Sequence, residues 1–149
     1  MVVGRVKIAF DFDGVLNKLP KPFEIFMRYS SPNDIFHRAG LDKLERLLVT
    51  IIAVLPLNLD GKFINSVPKN SVVISGRITQ REKAERLLRR SGFKNLYFRD
   101  TLEISETAFK IKTLKNLGIL VFVEDRLYVI ERLRANGING VDVREWAKL

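Results

Sequence analysis

The sequence contains no cysteine and a single histidine, His37, in 149 residues. Without thiols there are no disulfides, thiolate zinc sites or cysteine nucleophiles, and cysteine usage says nothing about redox compartment. One imidazole argues against a histidine-rich metal centre and against a Ser-His-Asp triad. Long apolar runs are missing too. The most apolar stretch, Leu47–Leu59, is broken by Pro56 and falls short of the ~18 residues a membrane span needs. Near the N-terminus, Arg5 and Lys7 interrupt the apolar residues and Asp11 and Asp13 close them, which does not fit a signal peptide. The expectation is a cytoplasmic protein without a membrane partner.

What is abundant is positive charge: 26 Lys+Arg against 17 Asp+Glu, a net charge of +9. The 46% hydrophobic and 29% charged fractions are ordinary for a globular protein and argue against disorder. The length favours one domain over residues 1–149, large enough to bury a core.

Apolar patterning divides the chain into short strands and helices. RVKIAF (Arg5–Phe10) is a β-prone run stopped by Asp11. Gly14 to Gly40, with Pro20, Pro22 and Pro32, reads as an extended loop or flap followed by a short helix opened by Ser31-Pro32. Leu41–Leu55 places leucines and isoleucines on one helical face, and Pro56 ends it. Its further apolar residues, Val49, Ala53 and Val54, fit deep burial or a dimer interface, burial being favoured. Asp60-Gly61 reads as a turn. Beyond it, strands are expected at Ser71–Ile74, Leu96–Phe98, Ile119–Val123 and Val141–Val143. Helices are expected at Thr79–Ser91 (a Thr79-x-x-Glu82 capping box, Gly92 as stop), Glu106–Leu117 (stopped by Gly118) and Leu127–Asn136 (stopped by Gly137). Strands alternating with helices imply an α/β fold: a Rossmann-like three-layer sandwich around a parallel sheet.

In such a sheet, ligands bind at the carboxyl ends of the strands, and those ends carry unusual residues. The first strand runs into Asp11-Phe12-Asp13-Gly14, the second into Ser75-Gly76-Arg77, and ILVFV into Glu124-Asp125-Arg126. Single acids often end strands as solvated turns. Four on one rim would repel one another unless a cation is present, and a hard divalent ion such as Mg²⁺ suits oxygen ligands. On the helix from Glu106, Lys110 lies about 40° from the centre of the apolar arc and Lys112 about 160° away. A lysine there either meets an anion or snorkels to water, and spacing alone leaves both open. His37, Trp146 and the aromatics Phe23, Phe26 and Phe36 could line a pocket, but local packing is the commoner role.

Taken in order, these segments resemble the four motifs of the haloacid dehalogenase-like phosphohydrolase superfamily: IAFDFDGVL (Ile8–Leu16), VVIS (Val72–Ser75), Lys110, and VFVED (Val121–Asp125). The resemblance runs from residue 6 to about 143. It implies a Mg²⁺-dependent phosphatase in which Asp11 is the nucleophile and Asp13 the general acid/base. Ser75, Gly76, Arg77 and Lys110 would bind the phosphoryl group or the substrate body. Asp11, Asp125 and the backbone carbonyl of Asp13 would hold the metal, with Glu124 as an alternative ligand. Asp13 disfavours dehalogenation, because dehalogenase members lack the second aspartate. Two positions depart from the commonest pattern: Val15 replaces the threonine of DxDGT, and Glu124-Asp125 replaces GDxxxD. Residues 14–70 leave room only for a small flap or helical insert, so a capless or minimally capped enzyme with an open site is implied. A receiver-like phosphoacceptor uses similar residues, but in a different strand order.

Residues 77–99 carry eight bases (Arg77, Arg81, Lys83, Arg86, Arg89, Arg90, Lys94, Arg99) against Glu82 and Glu85. Glu82–Arg86 and Glu85–Arg89 are spaced for stabilising pairs along a helix. The other bases would attract polyanions without sequence specificity. The resemblance implies a small phosphorylated substrate, a nucleotide or sugar phosphate, as the partner. The alternative is a nucleic-acid-binding or polynucleotide-end-processing protein that uses this segment.

Overall fold

The computed structural model describes residues 7–29, 51, 54–101 and 103–146. Five short strands form one all-parallel sheet: β1 (Ile8–Phe10), β2 (Val72–Ser75), β3 (Asn95–Phe98), β4 (Val121–Glu124) and β5 (Asn139–Asp142), in the order β3-β2-β1-β4-β5. The helices given in full among the described residues are α1 (Lys21–Tyr29), α2 (Gly61–Ser66), α3 (Arg81–Arg90), α4 (Glu106–Leu117), α5 (Leu127–Ala135) and α6 (Val143–Trp146). No helix among the described residues is long and apolar enough to cross a membrane.

The three layers follow from strand alternation, which sends successive side chains to opposite faces. Phe10, Val73 and Val123 face a cluster closed by Ile64 of α2 and by Ala84 and Leu88 of α3. Their neighbours Ala9, Val72, Ile74 and Phe122 face the other side, against Leu114 of α4 and Val129 and Leu133 of α5. Both faces are covered, so β2 is buried at every residue and its sequence is uniformly apolar up to Ser75. The expected α/β fold with a parallel, three-layer arrangement is the one observed.

Several local expectations need correcting. The stretch after Pro20 is a helix, α1, because prolines cost nothing in a first helical turn, where the backbone N–H groups have no helical partner. Asp60 is a helix cap and not simply a turn residue: its carboxylate accepts from the Phe63 N–H and starts α2. The Thr79-Glu82 capping box does not form. Arg77 draws the preceding chain inward, donating to the Thr79 carbonyl and to Gln80 Oε1. Gln80 becomes the N-cap, in the left-handed region at φ 54°, while Thr79 Oγ1 is left buried without a partner. Val143, expected in the last strand, begins α6.

Phe23 and Phe26 stack on each other at 6.4 Å, whereas Trp146 packs edge-on against Phe10 at 5.5 Å and also lines a cavity of about 570 Å³ with Phe10, Pro68 and Asn95. The predicted helix at Leu41–Leu55 lies largely outside the described residues, as do the Ser31-Pro32 helix, Phe36 and His37. Val54, for which burial was favoured, is 80% exposed.

Candidate metal and phosphoryl site

Chain order fixes where a site can form. From β1 the chain moves outward to β2 and β3, then returns to the opposite side of β1 for β4 and β5. The β1–β4 border is thus the switch point of the sheet, where a crevice opens beyond the strand ends. Phe10 pairs with Val123 in register, and the Asp11 N–H donates to the Val123 carbonyl at 3.0 Å. This register sets Asp11 beside Glu124 and Asp125.

Asp11, Glu124 and Asp125 are all buried, and one carboxylate oxygen from each lies within 4.8 Å of the others. Both Asp125 oxygens are buried without a hydrogen-bond partner. Orphaned anionic oxygens are costly in a protein interior, and an all-oxygen donor set of this kind fits a hard cation. Gly14 is required for the approach. It adopts φ +84°, and a Cβ there would lie 2.0 Å from Asp125 Oδ2; only glycine tolerates both constraints.

Lys110 supplies the counter-charge. It is fully buried, with Nζ 2.6 Å from Glu106 Oε1, 2.8 Å from Glu124 Oε2 and 3.4 Å from Asp11 Oδ1. Of the two roles left open by its spacing, the structure selects the anionic partner over snorkelling. The helix that carries it starts cleanly, because Ser105 Oγ accepts from the Ala108 N–H. Burial opposes the lysine's charge, but Asp11, Glu106 and Glu124 outweigh it and hold the ammonium well above its ordinary range.

The four acids divide into two pairs. Burial would raise Glu106, yet Lys110 and Arg126 bring it down to about 2. Glu124 is likewise lowered, with Lys110 overcoming burial. Asp11 is pushed well above the carboxylate range by burial and the Glu124 charge, only partly offset by Lys110. Asp125 is raised by burial and by Glu124. Without a cation, Glu106 and Glu124 therefore balance Lys110 and Arg126, while burial and the Glu124 charge make the charged forms of Asp11 and Asp125 costly.

The Asp13 carboxylate stands apart from the Asp11, Glu124 and Asp125 carboxylates. It is gripped by Arg77 through Nε and Nη2, each at 3.0 Å, and accepts from Asn17 Nδ2 at 3.0 Å. Arg77 is itself buried and spends its remaining Nη1 on Thr79 and Gln80. In this arrangement Arg77 serves Asp13, whereas sequence reasoning gave it to substrate. Ser75 is fully buried at the end of β2, and its Oγ accepts from the Arg77 N–H at 3.0 Å, which leaves its own proton to donate. Gly76 makes room for Glu106, whose Cγ would lie 2.4 Å from a Cβ at that position.

Sequence reasoning missed Glu106, Arg126 and Asn17 as site residues. Glu106 bridges Lys110 and Arg126, and its place one turn before Lys110 was the available signal. Asn17 holds Asp13 and also accepts from the Asn58 N–H; no local pattern marked it. Arg99, counted among the free bases, is buried and donates to the carbonyls of Gly76 and Ile104.

No protein-family model matches the chain, and no curated protein matches its sequence. The functional reading therefore rests on the site itself.

Proposed function

We propose that the protein is a Mg²⁺-dependent phosphatase of the haloacid dehalogenase-like kind, hydrolysing a phosphate monoester through an aspartyl-phosphate on Asp11. The observation that carries this reading is the switch-point constellation. Asp11 is buried between Lys110, 3.4 Å away, and the unpartnered carboxylate of Asp125.

Asp11, Asp125 and the Asp13 backbone carbonyl would hold Mg²⁺, with Glu124 as an alternative ligand. The ion would neutralise charge on the phosphoryl oxygens. In the first step an Asp11 oxygen attacks phosphorus, the ester P–O bond breaks, and Asp13, which takes up a proton from solvent on leaving Arg77, passes that proton to the leaving oxygen. In the second, water attacks phosphorus and loses a proton to Asp13. The bond between phosphorus and Asp11 then breaks, releasing orthophosphate. A covalent carboxylate intermediate divides one difficult hydrolysis into two easier steps. Ser75 and Lys110 would hold the equatorial oxygens, where charge accumulates. Asp13 has to turn from Arg77 towards Asp11 to take part, exchanging two hydrogen bonds for contact with substrate.

The test is hydrolysis of an aryl phosphate with and without Mg²⁺, by the wild type and by Asp11→Asn. The expected result is magnesium-dependent turnover that disappears in the variant. Turnover that persists in Asp11→Asn would overturn the covalent mechanism.

A further inference from the structure

A groove of about 510 Å³ lies beside the site, at the start of α3. It is lined by Ile78, Gln80, Arg81, Glu82, Lys83, Arg86 and Asp100. Gln80 links the groove to the site: its backbone lines the start of α3, and its Oε1 accepts from Arg77, the residue that holds Asp13. A non-glycine residue in the left-handed region is strained, and here that strained residue stands between groove and site.

The groove's charge is directional. Lys83 and Arg86 are exposed, and Arg81 is half-buried beside Glu85 at 3.8 Å. The expected Glu82–Arg86 and Glu85–Arg89 pairs are absent among the described ion pairs, leaving Arg86 and Arg89 turned to solvent. Lys83, Arg86 and Arg90 recur at helical spacing, so a basic stripe continues from the groove for about 10 Å along α3. Arginine and lysine in such a row fit successive phosphodiesters. The two carboxylates, Glu82 and Asp100, oppose the phosphates, and the lining also includes an amide and the aliphatic Ile78, groups that can meet base edges and faces. A bare polyphosphate would have no use for them.

We infer that this groove seats the body of a single-stranded polynucleotide whose terminal phosphate monoester enters the Asp11 site. The inference rests on the phosphatase reading for its chemistry, but the binding it describes can be measured separately.

The experiment uses the intact protein and a fluorescent single-stranded oligonucleotide with a terminal phosphate, following anisotropy across a salt series. Lys83→Ala combined with Arg86→Ala should weaken binding about tenfold and make the log–log salt slope shallower by about 1.4, for two lost phosphate contacts. Glu82→Gln combined with Asp100→Asn should tighten binding, which damage to the fold would not do. Both double variants should hydrolyse an aryl phosphate at the wild-type rate. Unchanged oligonucleotide binding in the Lys83/Arg86 variant would overturn the inference, as would equally effective displacement by poly-aspartate. Groove-dependent binding without aryl phosphate turnover would sustain the groove and count against the phosphatase. Turnover without groove-dependent binding would do the reverse.

Discussion

Asp11 and Asp125 are the residues at which the proposed function and stability pull in opposite directions. Their carboxyl groups are raised by burial and by Glu124, so the stability they contribute is present at low pH. It is lost as pH rises through their elevated folded values. At neutral pH in the absence of metal, both are a burden. Asp11→Asn should therefore raise the melting temperature of the metal-free protein at pH 7, by several degrees, while abolishing turnover. Differential scanning calorimetry in a chelating buffer checks this, and a lower melting temperature would contradict it. Glu106 behaves oppositely. Its folded value of about 2 lies below the unfolded one, so its contribution is present above about pH 4.3 and fades as pH falls towards 2. Glu106→Gln should flatten the acid limb of a stability–pH curve measured by urea unfolding.

At the scale of elements, the helix after β1 is fastened to the site by one side chain. Arg28 of α1 makes a two-pronged ion pair with Asp142 at the end of β5 and donates to the Asp125 backbone carbonyl at 3.2 Å. Its charge is stabilised by that pair, and Asp142 is correspondingly lowered. Truncating one partner of a largely buried pair costs about 3 kcal/mol, so Arg28→Ala should lower the melting temperature by roughly 6–12 °C. Thermal unfolding followed by circular dichroism measures it. Such long-range ties were invisible in the sequence, because nothing local pairs residue 28 with residue 142. The elements themselves were mostly legible: α4 runs from Glu106 to Leu117 as its apolar arc and Gly118 indicate. α1 was obscured by prolines that happen to fall in a first turn. The rim acids, Ser75 and Lys110 could be read from strand ends and helical phase. The Asp13–Arg77 grip could not, since it joins two strand ends through side-chain geometry alone.

For the whole molecule, the site is a junction of four chain segments that only the parallel sheet brings together. Cation binding should consequently stabilise the entire fold, with a pH dependence of known sign. Protons must leave Asp11 and Asp125 before their oxygens can bind metal, so Mg²⁺ affinity should rise with pH and proton release should accompany binding. Isothermal titration in buffers of differing ionisation enthalpy would detect those protons; binding without release would contradict the arrangement. Gly14→Ala should weaken this binding, because its Cβ would occupy the space of Asp125 Oδ2.

The strand order also bears on how the chain is made. β1 is synthesised first yet sits at the centre, hydrogen-bonded to β2 on one side and β4 on the other. Its second edge stays open until the chain has grown past residue 124, and Asp11 meets Asp125 only then. A nascent chain thus carries Asp11 well before it acquires Glu124 and Asp125, the residues that complete the candidate cation site. Metal binding would mark the moment at which both edges of the central strand have closed.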